Sequence, residues 1–142
     1  MSFDLKIVGN DLVINPDGSI QTVRDNTKLS QECIKALITP LGSNRFYSWY
    51  GNSLASTVIG QMMSNTLMEV EAERSISNTL NNVSLLQREQ SKTQYVSAGE
   101  TIAGIQNISV LQDDQDPRQY QITVSILTRK LTIIEETFSL QV

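Results

Sequence analysis

The chain of 142 residues contains no histidine and a single cysteine. Without histidine, Ser-His-Asp and Cys-His nucleophile systems, histidine-ligated zinc sites and histidine pH switches are all excluded. One cysteine, Cys33, excludes an intrachain disulfide and suits a reducing compartment. It falls on the apolar side of a predicted helix, where a free thiol behaves as a small buried hydrophobe. Positive charge is also sparse, with 11 Lys and Arg against 15 Asp and Glu and a net charge of −4. The basic residues are scattered, Arg129-Lys130 being the densest pair, so the clustered cations that phosphate binding demands are missing and no nucleic-acid partner is expected. No apolar run approaches the roughly 20 residues that span a bilayer, so no membrane partner is expected. The opening Met1-Ser2-Phe3-Asp4 lacks the basic and apolar regions of a signal peptide, which leaves the cytoplasm as the expected compartment. No phosphate-cradling glycine loop, nucleophile elbow or cysteine-rich metal spacing occurs.

What remains is a chain long enough to bury a self-sufficient core, read as one domain over residues 1–142. At 39% apolar residues it is far above a disordered composition, and Ser, Thr, Asn and Gln fill the remainder, a surface suited to wide, hydrogen-bonded protein contacts. Leu5, Ile7, Leu12 and Ile14 alternate with polar residues around the turn signal Gly9-Asn10, and Ile20 and Val23 follow the second turn Pro16-Asp17-Gly18, which predicts a small β-meander. A helix is predicted from Thr27 to Ile38, capped by Asn26 or Thr27. Leu29, Cys33 and Leu37 form its apolar stripe, Lys28, Glu32 and Lys35 its solvated side, and Thr39-Pro40 its end. Ser53 opens the next helical pattern, with Leu54, Val58 and Met62 as its stripe. Near Ser64 or Asn65 the pattern kinks, then resumes through Leu67, Val70, Ile76, Leu80 and Val83 as one long helix or two shorter ones. Residues 87–100 are polar and read as a helix end plus a loop. Three strands follow, Ile102 to Leu111, a second in which Tyr120, Ile122, Val124 and Ile126 alternate, and Leu131 to Leu140. The fold class is therefore α+β: an N-terminal meander, two to three helices and a C-terminal three-stranded antiparallel sheet.

Carboxylate pairs are the remaining route to acid–base chemistry. Glu135 and Glu136 are adjacent in a strand and point to opposite faces, while Glu69 and Glu73, with Glu71 and Arg74, read as a solvated helix face. Asp113, Asp114 and Asp116 lack the alternate ligands, central glycine and later glutamate of a calcium loop and read as a polar turn closed by Pro117. No catalytic, cofactor-binding or metal-binding residue is assigned, and the chain is expected not to be an enzyme. The aromatic cluster is the other candidate. The chain has one Trp, four Tyr and three Phe, and Phe46, Tyr47, Trp49 and Tyr50 crowd into residues 42–52. These rings plug the core between two helices, anchor a partner, since Trp, Tyr and Arg dominate interface hot spots, or divide between the two roles, with some rings inward and Arg45 or Tyr47 outward.

The stretch Leu37-Ile38-Thr39-Pro40-Leu41-Gly42-Ser43-Asn44-Arg45-Phe46-Tyr47-Ser48-Trp49-Tyr50-Gly51-Asn52-Ser53-Leu54 resembles the family of small baseplate wedge proteins of contractile phage tails, related to the sheath-initiating baseplate subunit of type VI secretion systems. That family carries a helix, then Leu-x-Thr-x-x-Gly, a basic residue, and Tyr-Gly followed by an apolar residue. Leu37, Thr39, Gly42, Arg45, Tyr50, Gly51 and Leu54 fall into the pattern. Many relatives carry Glu-Pro-Arg before the first C-terminal strand, where this chain reads Ala98-Gly99-Glu100-Thr101-Ile102. The resemblance implies a structural baseplate component that initiates sheath assembly by offering a strand edge to the first sheath ring. Its implied partners are the tail sheath protein, other baseplate wedge proteins and the tail tube or hub. Its implied location is the virion tail baseplate, reached from the host cytoplasm. The expected sheath-facing residues are Leu131, Ile133, Ile134, Phe138 and Leu140, apolar on both faces of the last strand. The expected wedge-facing residues are Arg45, Tyr47, Trp49 and Tyr50. A small cell-wall glycosidase of the lysozyme kind, which needs two carboxylates across a cleft, is the alternative from another class. A tail-completion or connector subunit is a further one.

Overall fold

Local chain chemistry fixes the first segment. Gly9 and Asn10 both sit in the left-handed region, at φ 59 and 68, the backbone that a two-residue hairpin turn requires. They join β2 (Ile7–Val8) to β3 (Asp11–Leu12), while β1 (Asp4–Leu5) pairs antiparallel with β4 (Thr22–Val23) and Ile14 bridges Ile20. In a computed structural model of the chain, which describes residues 2–61 and 63–142, this meander leads into three helices and a three-stranded antiparallel sheet. The fold is α+β, as the order of the sequence patterns indicates.

Helix α1 spans Asp25–Ile38 and ends where Thr39 turns extended ahead of Pro40. It starts two residues earlier than the sequence suggests, and neither Asn26 nor Thr27 caps it. Asn26 instead donates to Thr132 Oγ1 at 3.1 Å, a tertiary contact invisible to local pattern. Helix α2 is short, Leu54–Val58, and α3 runs over Asn65–Gln90 with Ser64 Oγ accepting from Leu67 N–H at its start. The long apolar pattern is thus two helices of unequal length. Met62 lies outside the described residues. Leu67 and Val70 are exposed, a correction to the expected stripe, because Met68, Ala72, Ile76 and Leu80 set the buried face and those two lie off it.

The C-terminal sheet has the order β5-β6-β7, with β5 at Ile102–Gln112, β6 at Gln119–Thr128 and β7 at Ile133–Gln141. Helices α1 and α3 pack against each other and cover one sheet face, α1 over β7 and α3 over β5. The core between the layers joins Leu29, Cys33 and Leu37 of α1, Ile76 and Leu80 of α3, and Ile122, Val124 and Ile126 of β6, all fully or almost fully buried. Each such side chain contributes roughly 1.5–3 kcal/mol through apolar burial. Burial also pushes the Cys33 thiol far above its ordinary pKa, with the carboxylates of Glu32 and Glu136 adding to the effect, so it is an inert core residue.

The expected solvated side of α1 is largely covered. Lys28 is 5% exposed and pairs at 3.6 Å with Glu100, itself 2% exposed, while Lys35 bonds Asp4 at 2.6 Å. The meander and the 3-10 turn Ala98–Glu100 cover this face, which helical periodicity alone cannot anticipate. Gln87 completes the polar layer. Its amide donates to Glu100 O at 2.8 Å and to Glu32 Oε2 at 3.2 Å, and it accepts from Ile102 N–H at 3.0 Å. Both ends of the polar stretch 87–100 are therefore packed, with Gln87, Gly99 and Glu100 buried. Among the described residues no helix is long and apolar enough to cross a membrane.

Candidate functional site

Antiparallel pairing leaves every second residue of an edge strand with its N–H and C=O turned away from the sheet. The phase on β7 follows from its two ends. Thr128 N–H donates to Thr132 O at 2.9 Å, Val142 N–H donates to Arg118 O at 2.8 Å, and the register between them is continuous from Leu127↔Ile133 to Gln119↔Gln141. Even-numbered residues of β7 thus bond to β6, and the backbone groups of Ile133, Glu135, Thr137, Ser139 and Gln141 face outward. Among the described residues no other strand pairs with this edge. The opposite edge, β5, is broken by register shifts at Ile102/Gly104 and Ile105/Asn107, irregularities that blunt an edge against pairing. β7 is the regular one.

Side chains on β7 alternate with the backbone. Ile134, Phe138 and Leu140 turn inward and pack on the core, and Glu136 meets Ser30 of α1. Ile133, 53% exposed, points outward with Glu135, Thr137 and Ser139, where Thr123 and Thr137 hydroxyls bond at 3.0 Å across the sheet. Leu131 is not in the strand. It occupies the β6–β7 turn at φ 63, a left-handed position that glycine would relax, and its side chain is 80% exposed. The expected apolar set is therefore split, three residues inward, Ile133 outward and Leu131 at the turn. Beside the C-terminal half of β7 runs a groove lined by Leu37, Ile38, Pro40, Leu54, Phe138 and Leu140.

A second surface is the aromatic loop between α1 and α2. Its base is stapled: Asn52 N–H donates to Thr39 O at 2.8 Å, Leu41 N–H to Asn52 O at 3.0 Å, and Thr79 of α3 to Gly51 O at 3.1 Å. Gly51 sits at φ 114, and a Cβ there would stand 2.6 Å from Thr39 O, so this closure needs glycine. Asn52 is buried, with Ser75 and Leu54 N–H on its side-chain oxygen. From that base Asn44 Oδ1 accepts from the N–H groups of Phe46 and Tyr47 and holds a turn at the tip. Phe46 stands 88% exposed, Arg45, Tyr47 and Trp49 are exposed, and Tyr50 alone packs half-buried on the core. Tyr47 and Trp49 rings lie 5.6 Å apart. The cluster divides: Tyr50 turns to the core, while Phe46, Tyr47 and Trp49 do not plug it, because the stapled base turns the rest of the loop outward. Phe46, absent from the expected wedge-facing set, is its most exposed ring, and no sequence signal distinguishes it from its neighbours.

No family model and no curated protein matches the chain.

The carboxylates are distributed as strand and helix geometry dictates. Glu69 and Glu73 are exposed on α3, and Glu135 and Glu136 lie on opposite sheet faces. Asp113 and Asp116 accept from the N–H groups of Gln115 and Arg118 within the β5–β6 turn. Among the described residues no group of three or more His, Cys, Asp or Glu is placed to hold a metal ion. The exposed features are a run of outward-facing peptide groups on β7 beside an apolar groove, and a displayed aromatic loop.

Proposed function

We propose that the chain is a structural, non-enzymatic subunit of a contractile-tail baseplate that starts sheath assembly by accepting a strand from the first sheath ring. The single observation that carries this reading is the uninterrupted free edge of β7, with outward peptide groups at Ile133, Glu135, Thr137, Ser139 and Gln141. An unpaired edge is a template for strand addition, in which backbone bonds supply affinity and alternating side chains supply fit. The resemblance of residues 37–54 to baseplate wedge proteins names the assembly in which such an edge would serve. The sheath protein is then the strand donor. The aromatic loop, with Arg45, Phe46, Tyr47 and Trp49, is the contact to neighbouring wedge proteins, and the working location is the tail baseplate, assembled in the host cytoplasm.

The test is electron microscopy of tails assembled with a Thr137→Pro/Ser139→Pro variant. Proline at these positions removes outward N–H groups that β6 does not use, a substitution edge strands tolerate. Baseplates and tubes without an extended sheath are expected, provided the purified variant keeps its helical circular dichroism. Normally sheathed tails would overturn the reading.

A further inference from the structure

The free edge of β7 is one side of a trough whose other parts belong to α1 and the meander. Ser30 of α1 reaches Glu136 of β7, and Gln31, one residue on, reaches the meander. Around the helix, Thr27, Ile34 and Ile38 fall between these two directions. Thr27 and Ile38 are exposed and Ile34 is half-buried, so they form a largely uncovered strip between the sheet edge and the meander.

The meander stands on α1 by an edge. Gln31 Nε2 donates to Leu5 O at 2.7 Å while its Oε1 accepts from Ile7 N–H at 2.9 Å, so one side-chain amide takes the place of a neighbouring strand. One meander face carries Asp4, Lys6 and buried Val23. The other carries Leu5, Ile7, Leu12, Ile14 and Ile20, five exposed apolar side chains. Ile20 and Thr22 of that apolar face share a shallow groove with Thr27, which brings it to the same side of α1 as Ile34 and Ile38.

Charge distinguishes the two ends of the trough. Where β7 begins, the β6–β7 turn carries Arg129 and Lys130, and the first turn of α1, bonded to that turn through Asn26 and Thr132, is preceded by exposed Arg24. None of the three cations forms an ion pair among the described residues. The neighbouring carboxylates are otherwise engaged, Asp25 by Ser97 Oγ at 2.5 Å and Glu136 by Ser30, while Glu135 lies on the outer sheet face near Ser125. At the other end, Pro40, Ser139 and Leu140 bring no charge.

Resting on the strand-acceptor reading above, we infer that the trough takes an extended segment of another protein, antiparallel to β7, apolar at alternate positions and acidic at its C-terminal end. Antiparallel addition is the stronger pairing and continues the sheet's own pattern. It brings the segment's C-terminal end beside Arg24, Arg129 and Lys130, and alternation lays every second side chain on Ile34, Ile38 and the apolar face of the meander.

The probe is a synthetic peptide of alternating valine and threonine that ends in paired aspartates and a free carboxylate. Its counterpart ends in paired lysines and an amide, and binding to the full chain is read by fluorescence anisotropy. The acid-ended peptide should bind roughly tenfold more tightly at low salt, the sum of a few exposed ion pairs. The preference should fade at high salt and vanish in an Arg129→Glu/Lys130→Glu variant. Equal affinities, with both lost in Thr137→Pro/Ser139→Pro, would overturn the acidic-end inference and leave the free edge standing. Binding indifferent to those prolines, or no binding of either peptide, would overturn both. A peptide N-methylated at the residues facing β7 repeats the edge test without altering the protein.

Discussion

Glu32 shows how much a single side chain's meaning depends on what covers it. By sequence it sits between Lys28 and Lys35 on a polar helix face; in the fold that face lies under the meander and the end of α3. Burial pushes its carboxyl above the ordinary value, and Gln87, Lys28 and Lys35 only partly counter that. A raised folded-state pKa means the native state holds the proton more tightly. This residue's contribution to stability therefore falls as pH rises from the ordinary carboxylate range through the raised folded value. Glu32→Gln keeps an acceptor for Gln87 Nε2 and removes the charge. The variant should melt higher than the parent at pH 7, with the gap closing toward pH 4, a comparison thermal denaturation makes directly. A variant less stable at pH 7 would mean that the ionised carboxylate, held by the two lysines, is a net stabiliser. Lys28 and Glu100 are the harder case, since removing one partner of a buried pair typically costs about 3–5 kcal/mol.

At the scale of elements, β7 makes a demand that few other measurements could meet by accident. If the hydrogen-bond phase is as its ends dictate, amides of Ile134, Glu136, Phe138 and Leu140 are bonded to β6 while those of Ile133, Glu135, Thr137, Ser139 and Gln141 are free. Amide hydrogen exchange followed by NMR should alternate residue by residue along the strand, slow on even numbers and at least about tenfold faster on odd ones. A filled edge should slow the odd set. Uniform protection in the isolated chain would mean that the edge is already covered. The strand itself was legible in the sequence, as were α1, the two turns of the meander and the alternation of β6, because each rests on a period or a turn residue. The phase of β7 was not, because it is set by the geometry of the Thr128–Thr132 turn and not by composition. The split of Leu131, Ile133, Ile134, Phe138 and Leu140 into three locations follows from that phase. The outward aromatic loop was illegible for a related reason. Its direction depends on Asn52, Ser75 and Thr79, contacts between residues more than twenty positions apart.

For the molecule as a whole, the two ways its parts are joined differ in kind. Helices α1 and α3 meet the sheet through one contiguous apolar core. The meander is held largely by polar contacts: Gln31 to Leu5, Ile7 and Asp4, Lys35 to Asp4, and Ser2 to Gln90, with Val23 its one buried apolar side chain. Five of its apolar residues, Leu5, Ile7, Leu12, Ile14 and Ile20, turn to the trough instead of the core. Units attached with little apolar burial open below the global unfolding free energy, so the meander should be the first part of the chain to exchange. Gln31→Ala removes the three bonds of one amide, each worth about 0.5–1.5 kcal/mol net. It should accelerate exchange at Lys6, Val13 and Gln21, whose N–H groups bond within the meander, and leave the amides of β6 unchanged. Loss of protection throughout the chain would show instead that the meander is part of the cooperative core. A meander attached this way also gains most from a filled trough, because an occupant would cover the apolar face that the rest of the chain leaves open. Bound peptide should therefore restore protection in Gln31→Ala more than it adds to the parent.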